Sequence, residues 1–213
     1  MAKKNPKVGD QKRAQPREVR REQLINATMQ CIANRGLSGV TMARVTSTAG
    51  LSLGIANLHF ESKEKLLLAT LESVTSEYNR GHTGILTDNS YPSIPEKIDA
   101  LLAFDFSARI MDKSKVAVWF AFLGEAKSRP TYQAICGRQD SKAEMLLANL
   151  FQDAIAEGDY QDIDPKLLAS GYIGLVDGLW LTALLAPRRL SRKKAQATAR
   201  QYLASALPGH VNP

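Results

Sequence analysis

The sequence predicts an all-α protein of about nine helices, with an N-terminal three-helix domain that contains a helix-turn-helix motif and a larger C-terminal helical domain. Three observations predict this fold class. Apolar residues recur at spacings of three and four along most of the chain, as on one face of a helix. N-capping residues and glycine or proline stops follow one another in the order that successive helices require. No segment alternates apolar and polar residues as a strand does.

The helix-turn-helix motif is predicted over about residues 41–60. Thr41 and Ser52 are placed to cap two short helices, and Gly50 ends the first of them. Only residues 50–52 join the two helices, and a glycine-containing turn of this length is typical of the motif. The small core that would hold the pair at a fixed angle consists of Val45, Ala49, Leu51 and Ile55.

The other helices are predicted from the same start and stop signals. They run from about Pro16 to Arg35, from Ser62 to just before Gly81, from Ser93 through Phe106, over 114–127, from Pro130 to about Glu157, from Pro165 to Pro187, and from Ser191 to about Ala206.

The excess positive charge lies entirely in the first sixty residues. The net charge of the chain is +7, and residues 1–60 hold ten Lys or Arg against three Asp or Glu, while eighteen of each sign remain elsewhere. A positive excess confined to one segment favours a polyanionic partner for that segment, with a solvated basic tail as the alternative. Residues 1–16 contain little that could be buried, and we predict a disordered basic arm there.

Residues 51–60 are the candidate for a helix that enters the major groove of double-stranded DNA. Gly54 allows a close backbone approach, Asn57 offers the donor and acceptor that match adenine, and His59 can donate to a phosphate. Further candidate DNA contacts around this helix are Thr41, Arg44, Ser52, Leu53 and Lys63. Taken singly, Asn57 is better explained as a solvated polar residue and His59 as a surface or packing residue, so the inference depends on the joint arrangement.

Basic residues before the motif could add minor-groove or backbone contacts. They are Lys12, Arg13, Arg17, Arg20 and Arg21.

Residues 41–71 resemble the DNA-binding signature of the TetR family. The matching positions are Thr41, Ala49, Gly50, Ser52, Gly54, His59, Phe60, Lys63 and the pair Leu66–Leu67. The resemblance implies a DNA-binding domain over residues 17–78. The sequence departs from the signature at Asn57 and Leu58, where an aromatic residue is usual, and at Thr46, where alanine is usual, so a base preference is not implied.

Residues 116–140 and 172–185 resemble the C-terminal domain of BetI-type repressors, which sense choline. The resemblance implies a regulatory and dimerisation domain over residues 79–207. It also implies a homodimer built on the last two helices and a pocket for a small-molecule effector. We expect no cofactor.

A quaternary ammonium effector such as choline would need aromatic faces around its cation and a nearby carboxylate. Asp177 stands out because it lies inside an otherwise apolar helix and needs a partner if it is buried. Two alternatives remain: the aromatic residues are ordinary core, or Asp177 pairs with a basic residue across a subunit interface. The candidate ligand-binding residues are Asp105, Trp119, Phe122, Tyr132, Asp177 and Trp180.

Catalytic and metal-binding motifs are not visible in the sequence. The three histidines lie far apart, and no GxSxG, phosphate loop or metal-ligand cluster is present. We therefore expect neither an enzyme nor a metal site.

The compartment follows from three features. Two cysteines are too few for a disulfide framework, and the N-terminus lacks the apolar stretch of a secretory signal. Residues 167–186 have the length of a membrane span, but an acid near the middle favours a buried helix at a subunit interface. We expect a cytoplasmic protein, associated with the bacterial nucleoid and not with a membrane.

Together these features predict a transcriptional repressor that a small-molecule ligand releases from its DNA operator. The alternative is a DNA-binding regulator whose C-terminal domain is purely structural and does not respond to ligands.

Overall fold

The computed structural model describes residues 16–212, except for the side chains of residues 138–142, and that part of the chain contains nine α-helices and no strand. The predicted all-α class is confirmed. The helices are α1 (Arg17–Arg35), α2 (Met42–Ala49), α3 (Leu53–His59), α4 (Lys63–Thr87), α5 (Ile94–Asp105), α6 (Lys113–Ala126), α7 (Pro130–Gly158), α8 (Pro165–Leu185) and α9 (Arg192–Ala206). Apart from Pro16, the predicted disordered arm lies outside the described residues.

Side-chain caps determine where most helices begin. The hydroxyl of Thr41 accepts a hydrogen bond from the backbone N–H of Arg44 at 3.2 Å, and Ser52 accepts one from Ile55 at 3.3 Å. Ser62, Ser93, Asp112, Asp164 and Ser191 accept in the same way at the starts of later helices. Each cap satisfies an N–H group that has no partner within its own helix.

The prediction that the fourth helix ends before Gly81 is wrong, because α4 continues to Thr87. Gly81 is glycine for a different reason: a Cβ atom there would overlap the ring of Phe104 on α5. The glycine lets α5 approach α4 closely, and it does not stop the helix. As a result α4 runs through the predicted domain boundary between residues 78 and 79.

The described residues form two hydrophobic cores, one among the N-terminal helices and one among the C-terminal helices. The first contains residues from α1 to α4, such as Leu24 and Leu66, together with Phe122 of α6. The second is built from α5, α7, α8 and α9, with Val116 of α6 and partly buried residues of α4, including Tyr78, packed against it. Helices α4 and α6 therefore contribute to both cores and connect them.

Helix α8 is the only helix of the described residues that is long and apolar enough to cross a bilayer. It packs against α7 and α9 and has further contacts with α6. Its outer face is apolar yet exposed, with Leu167 at 72% and Leu185 at 74% exposure. Between these two leucines the same face carries Gly171, Gly174 and Gly178, all exposed.

Two glycines of α4 allow a matched test of the α4–α5 contact. Gly84 is exposed and has open space where a Cβ would lie, whereas the corresponding space at Gly81 is filled by Phe104. Alanine favours the helix equally at both sites, so we expect Gly81→Ala to be less stable than Gly84→Ala by about 1–3 kcal/mol, the usual cost of overpacking. Urea unfolding of both variants measures the difference, and equal stabilities would contradict the proposed contact.

Candidate nucleic-acid interface and ligand cavity

Helix α3 presents one face to solvent and buries the other. Ala56 is completely buried, and Phe60, at the end of the helix, is 4% exposed, so these two residues anchor the helix to the first core. On the opposite face Gly54 and Asn57 are exposed, as are Leu53 at 49% and Leu58 at 71%. The outward face therefore offers polar and apolar groups to a partner with a matching groove.

The turn between α2 and α3 fixes the angle of α3. Gly50 has a φ of 65°, a left-handed conformation that favours glycine. The N–H of Leu51 donates to the carbonyl of Thr46 at 2.9 Å, which closes the turn. The buried Thr46 hydroxyl donates to carbonyls one turn earlier in α2, so this departure from the expected alanine leaves no unpaired polar group.

Basic side chains lie on the elements around α3. Lys63 is exposed at the first position of α4, and exposed Arg44 of α2 donates to the carbonyl of Gly39 at 2.7 Å. On α1, the guanidinium of Arg21 lies 5.4 Å from the centre of the Phe60 ring, which ties this basic helix to the end of α3. Arg17 and Arg20 are also on α1, whereas Lys12 and Arg13 lie outside the described residues.

A cavity lies between α4, α6 and α8 in the C-terminal half of the molecule. Together with its open mouth it contains about 670 Å³ of empty space. Most of its wall is apolar, and its aromatic residues are Tyr78 of α4, Trp119 of α6 and Trp180 of α8. Tyr78 and Trp180 meet edge to face, with ring centres 5.3 Å apart. The charged groups in the wall are Glu77, Lys115 and Asp177.

Three of the six predicted ligand-binding residues line this cavity: Trp119, Asp177 and Trp180. The structure places Phe122 and Tyr132 elsewhere. They are 0% and 1% exposed and meet edge to face, with ring centres 4.7 Å apart, in the first core together with residues of α1 to α4. The reason is that Phe122 lies beyond the part of α6 that lines the cavity. At Phe122 the helix packs against α1 and α7.

Asp105 lies behind the cavity wall and organises it. This carboxylate is completely buried, with Oδ1 2.8 Å from Nε2 of His82 and Oδ2 accepting from the hydroxyl of Tyr172 at 2.7 Å. Its backbone carbonyl accepts from the indole N–H of Trp180 at 3.0 Å. Burial and the nearby Asp105 charge raise the pKa of Tyr172 well above its ordinary value, so the hydroxyl stays protonated and remains a donor.

Glu77, Tyr78 and Lys115 are cavity residues that the sequence did not reveal. Glu77 and Tyr78 were attributed to the end of the DNA-binding domain, which the family resemblance placed over residues 17–78. Lys115 lies four residues before Trp119 on α6, and this one-turn spacing is the sequence feature that could have identified Lys115 as a cavity residue.

The charges in the wall are ordered by hydrogen bonds. Glu77 accepts from Lys115 Nζ at 2.6 Å and from Nε of Arg109. Burial by itself would raise the pKa of Glu77, but the hydrogen bonds from the two cations outweigh it and lower the pKa, so Glu77 is ionised. On the other side, the indole N–H of Trp119 donates to Asp177 at 3.3 Å. Among the described residues, no cluster of three potential metal ligands is present.

Comparison with known families agrees with both halves of this architecture. Residues 24–70 match the bacterial regulatory proteins of the tetR family, and residues 95–208 match the C-terminal domain of BetI-type transcriptional repressors. The chain is 28% identical over 203 residues to the HTH-type transcriptional regulator BetI of Escherichia coli K12, covering 95% of this chain and 98% of BetI. The regulator BetI of Shigella flexneri serotype 5b is similar to the same extent.

Solved structures share the fold over nearly the whole chain. A protein of Pseudomonas aeruginosa PAO1 assigned as a transcriptional regulator superposes with a TM-score of 0.77 at 25% identity, over 92% of this chain and 94% of its own. A regulator of the same description from Saccharomonospora viridis, crystallised with choline, gives a TM-score of 0.76 at 19% identity, over 92% and 100% of the two chains.

These matches confirm the predicted TetR and BetI-type resemblances, in a family of DNA-binding regulators rather than of enzymes. The chain therefore belongs to the TetR family of bacterial transcriptional regulators, with a helix-turn-helix DNA-binding domain and a BetI-type C-terminal domain.

Proposed function

We propose that this protein is a dimeric repressor, which a small quaternary ammonium ligand such as choline releases from its operator by binding in the cavity. One observation carries the proposal: α4 and α6 both line the cavity and both contribute to the core beneath α3. A ligand that displaces either helix thus acts on the part of the molecule that contacts DNA. Because its partner is the bacterial chromosome, we place the protein in the cytoplasm.

DNA recognition is assigned to α3 and the residues around it. The exposed Asn57 amide has the donor and acceptor needed to read adenine in the major groove. Lys63 and Arg44 are exposed cations on the flanking helices and are suited to phosphates on either side of the groove. Thr41, Ser52, Leu53, Gly54 and His59 belong to the same surface in this proposal.

Dimerisation is assigned to the outer face of α8 together with α9. Exposed leucines at both ends of this face are costly in water, and the glycines between them let a second helix approach closely. Tyr202 of α9, 37% exposed, extends the apolar surface next to Gly171. A two-fold dimer built here would hold two α3 helices for half-sites about one DNA turn apart, roughly 34 Å.

The cavity is suited to a cation. Aromatic faces of Tyr78, Trp119 and Trp180 attract a quaternary ammonium group, and Asp177 adds a carboxylate in the same wall. The similarly folded Saccharomonospora viridis regulator was crystallised with choline, which supports this ligand class. Release follows if the ligand prefers the spacing of the two DNA-binding domains that does not match the operator.

Asn57→Ala and Lys63→Ala should weaken DNA binding in different ways. In Asn57→Ala, loss of a base contact should weaken the free energy of binding to the operator by about 1–3 kcal/mol and change binding to random DNA little. In Lys63→Ala, loss of a phosphate contact should weaken binding to all sequences. It should also reduce the slope of log K against log salt concentration by about one. Fluorescence anisotropy titrations with operator and random duplexes at several salt concentrations measure both effects. An equal loss of affinity on both duplexes for Asn57→Ala would remove it from base reading.

Replacing Gly174 by arginine should convert the dimer into a monomer. Gly174 and Gly84 are both exposed helical glycines with open space around the missing Cβ, so arginine is tolerated at either position within one chain. Only Gly174 lies in the proposed interface. Light scattering during size-exclusion chromatography should show a monomer for Gly174→Arg and a dimer for Gly84→Arg. A dimeric Gly174→Arg variant would show that the interface lies elsewhere.

The effector role is tested with choline and the isosteric change Asp177→Asn. Choline should release wild-type protein from its operator in a gel-shift assay, and removing the carboxylate should weaken choline binding by about tenfold, which corresponds to a charge-assisted contact. Asp153→Asn, the same change at an exposed site on α7, is the control. If choline, betaine aldehyde and betaine give no heat in calorimetry and no release, the ligand-independent regulator becomes the better description.

A further inference from the structure

We propose that a groove beside the cavity is a second ligand site, which binds an amphipathic anion: a hydrocarbon chain that ends in a carboxylate or a phosphate. The groove lies between the start of α6, the end of α8 and the start of α9, and together with its open mouth it contains about 570 Å³ of empty space. This volume is in the usual range of small-molecule sites. The proposal goes beyond the effector role of the cavity and does not depend on it.

Most of the groove wall is apolar. Its buried members Met111, Val116 and Trp180 are at most 9% exposed and belong to the second core. Half-buried Leu184 and Leu190 continue the apolar surface outward. A hydrocarbon chain that displaces water from such a surface gains free energy in proportion to the apolar area it covers.

Two helices begin at the groove, each with a cation as its first residue. Lys113 opens α6 and Arg192 opens α9, and both are exposed and line the groove. Within the described residues neither cation forms an ion pair, and none of the ten lining residues is acidic. Asp112, next to Lys113, does not line the groove, and its Oδ1 accepts from the backbone N–H groups of Ser114 and Lys115. The groove therefore offers two cations to an anionic head group.

The positive charge at the start of α9 is not explained by the stability of that helix. Arg192, Lys193 and Lys194 fill the first turn, and no acid accompanies them. The start of a helix is its positive end, where acids stabilise and cations destabilise, and α1, α4 and α5 each have a glutamate there. No Asp or Glu follows Asp177 in the sequence, whereas six Lys or Arg do, and of these six only Arg200 forms an ion pair with a described residue. An anionic ligand relieves this repulsion.

The groove and the cavity share part of their walls. Val116 and Trp180 line both of them. The indole N–H of Trp180 also donates to the backbone carbonyl of Asp105, which fixes the ring between the two sites. A ligand in the groove therefore contacts the same tryptophan as a ligand in the cavity, and each is expected to change the affinity of the other.

The groove lies on the side of α8 that faces away from the proposed dimer interface. With 3.6 residues per turn, Trp180, Ala183 and Leu184 point on average in the direction opposite to the exposed glycines of this helix. A second subunit bound over the glycines leaves this side of α8 uncovered. The part of the groove formed by α8 is therefore accessible in the proposed dimer.

The first experiment compares octyl phosphate, below its micelle concentration, with butyl phosphate, octanol and inorganic phosphate. Calorimetry with the full-length protein should show that affinity rises about fourfold for each CH₂ group between butyl and octyl phosphate. Octanol and inorganic phosphate, which each lack one half of the ligand, should bind about tenfold more weakly than octyl phosphate or worse. Octanoate tests the carboxylate head group, and tight binding of either octyl anion supports the proposal. An affinity independent of chain length would overturn it, because charge alone would then attract the ligand.

Arg192→Gln and Lys193→Gln form a matched pair for the head group. The two residues are adjacent and both are exposed, but only Arg192 lines the groove. Arg192→Gln should weaken octyl phosphate by about tenfold, and Lys193→Gln by less than about twofold. Equal losses would reveal a diffuse attraction to the basic segment and would overturn the assignment to the groove.

Asp177→Asn tests whether octyl phosphate occupies the cavity instead. Asp177 lines the cavity and not the groove, so this variant should bind octyl phosphate as the wild type does. A change as large as that of Arg192→Gln would place the ligand in the cavity and overturn the proposal. Choline release from the operator can succeed or fail independently of this result.

Vesicles that contain phosphatidylglycerol separate a soluble ligand from a lipid surface. If the protein sediments with these vesicles but binds neither octyl phosphate nor octanoate, the basic segment binds a membrane and the groove proposal is overturned. Binding of the soluble anions without vesicles supports it. Should Arg192→Gln fail to fold, the chain-length series on the wild-type protein decides the question.

Discussion

The buried carboxylate of Asp105 is the interaction on which the C-terminal half of this molecule depends. It is fully removed from water, and such a group is tolerated only when hydrogen bonds replace its hydration. The carboxylate is bound by His82 from α4 and by Tyr172 from α8, and the indole of Trp180, also on α8, donates to the backbone carbonyl of Asp105. Three helices are thereby held at one point, and Trp180 is fixed where it forms part of the cavity wall.

From that point α4 extends to the helix-turn-helix domain. The helix has 25 residues and is therefore about 37 Å long, with Lys63 at the end beside α3 and His82 near the other end. It contributes to both cores, and its middle section forms one wall of the cavity. Helix α6 also contributes to both places: Lys115 and Trp119 line the cavity, and Phe122 lies in the core beneath the DNA-binding helices. Both helices therefore connect the cavity wall with the core that anchors α3.

Local chemistry made much of the fold predictable from sequence. Caps such as Thr41, Ser52 and Asp164 act through hydrogen bonds within three residues of themselves, so a sequence window contains everything that determines them. The length of α4 could not be predicted in this way, because the role of Gly81 depends on Phe104, more than twenty residues away. Long-range packing of this kind leaves no periodic signal near the glycine.

The same distinction holds for the cavity. Asp177 was recognisable because an acid inside an apolar helix needs a partner, and it does line the wall. Phe122 and Tyr132 were indistinguishable by type from the aromatic residues that line the cavity, and only their packing beneath α1 separates the two groups. Trp119 and Trp180 are also the only tryptophans of the chain, and both indole N–H groups donate to fixed acceptors in or behind the cavity wall. The tryptophan fluorescence of this protein therefore originates entirely at the cavity wall, so a molecule that enters the cavity is expected to change it.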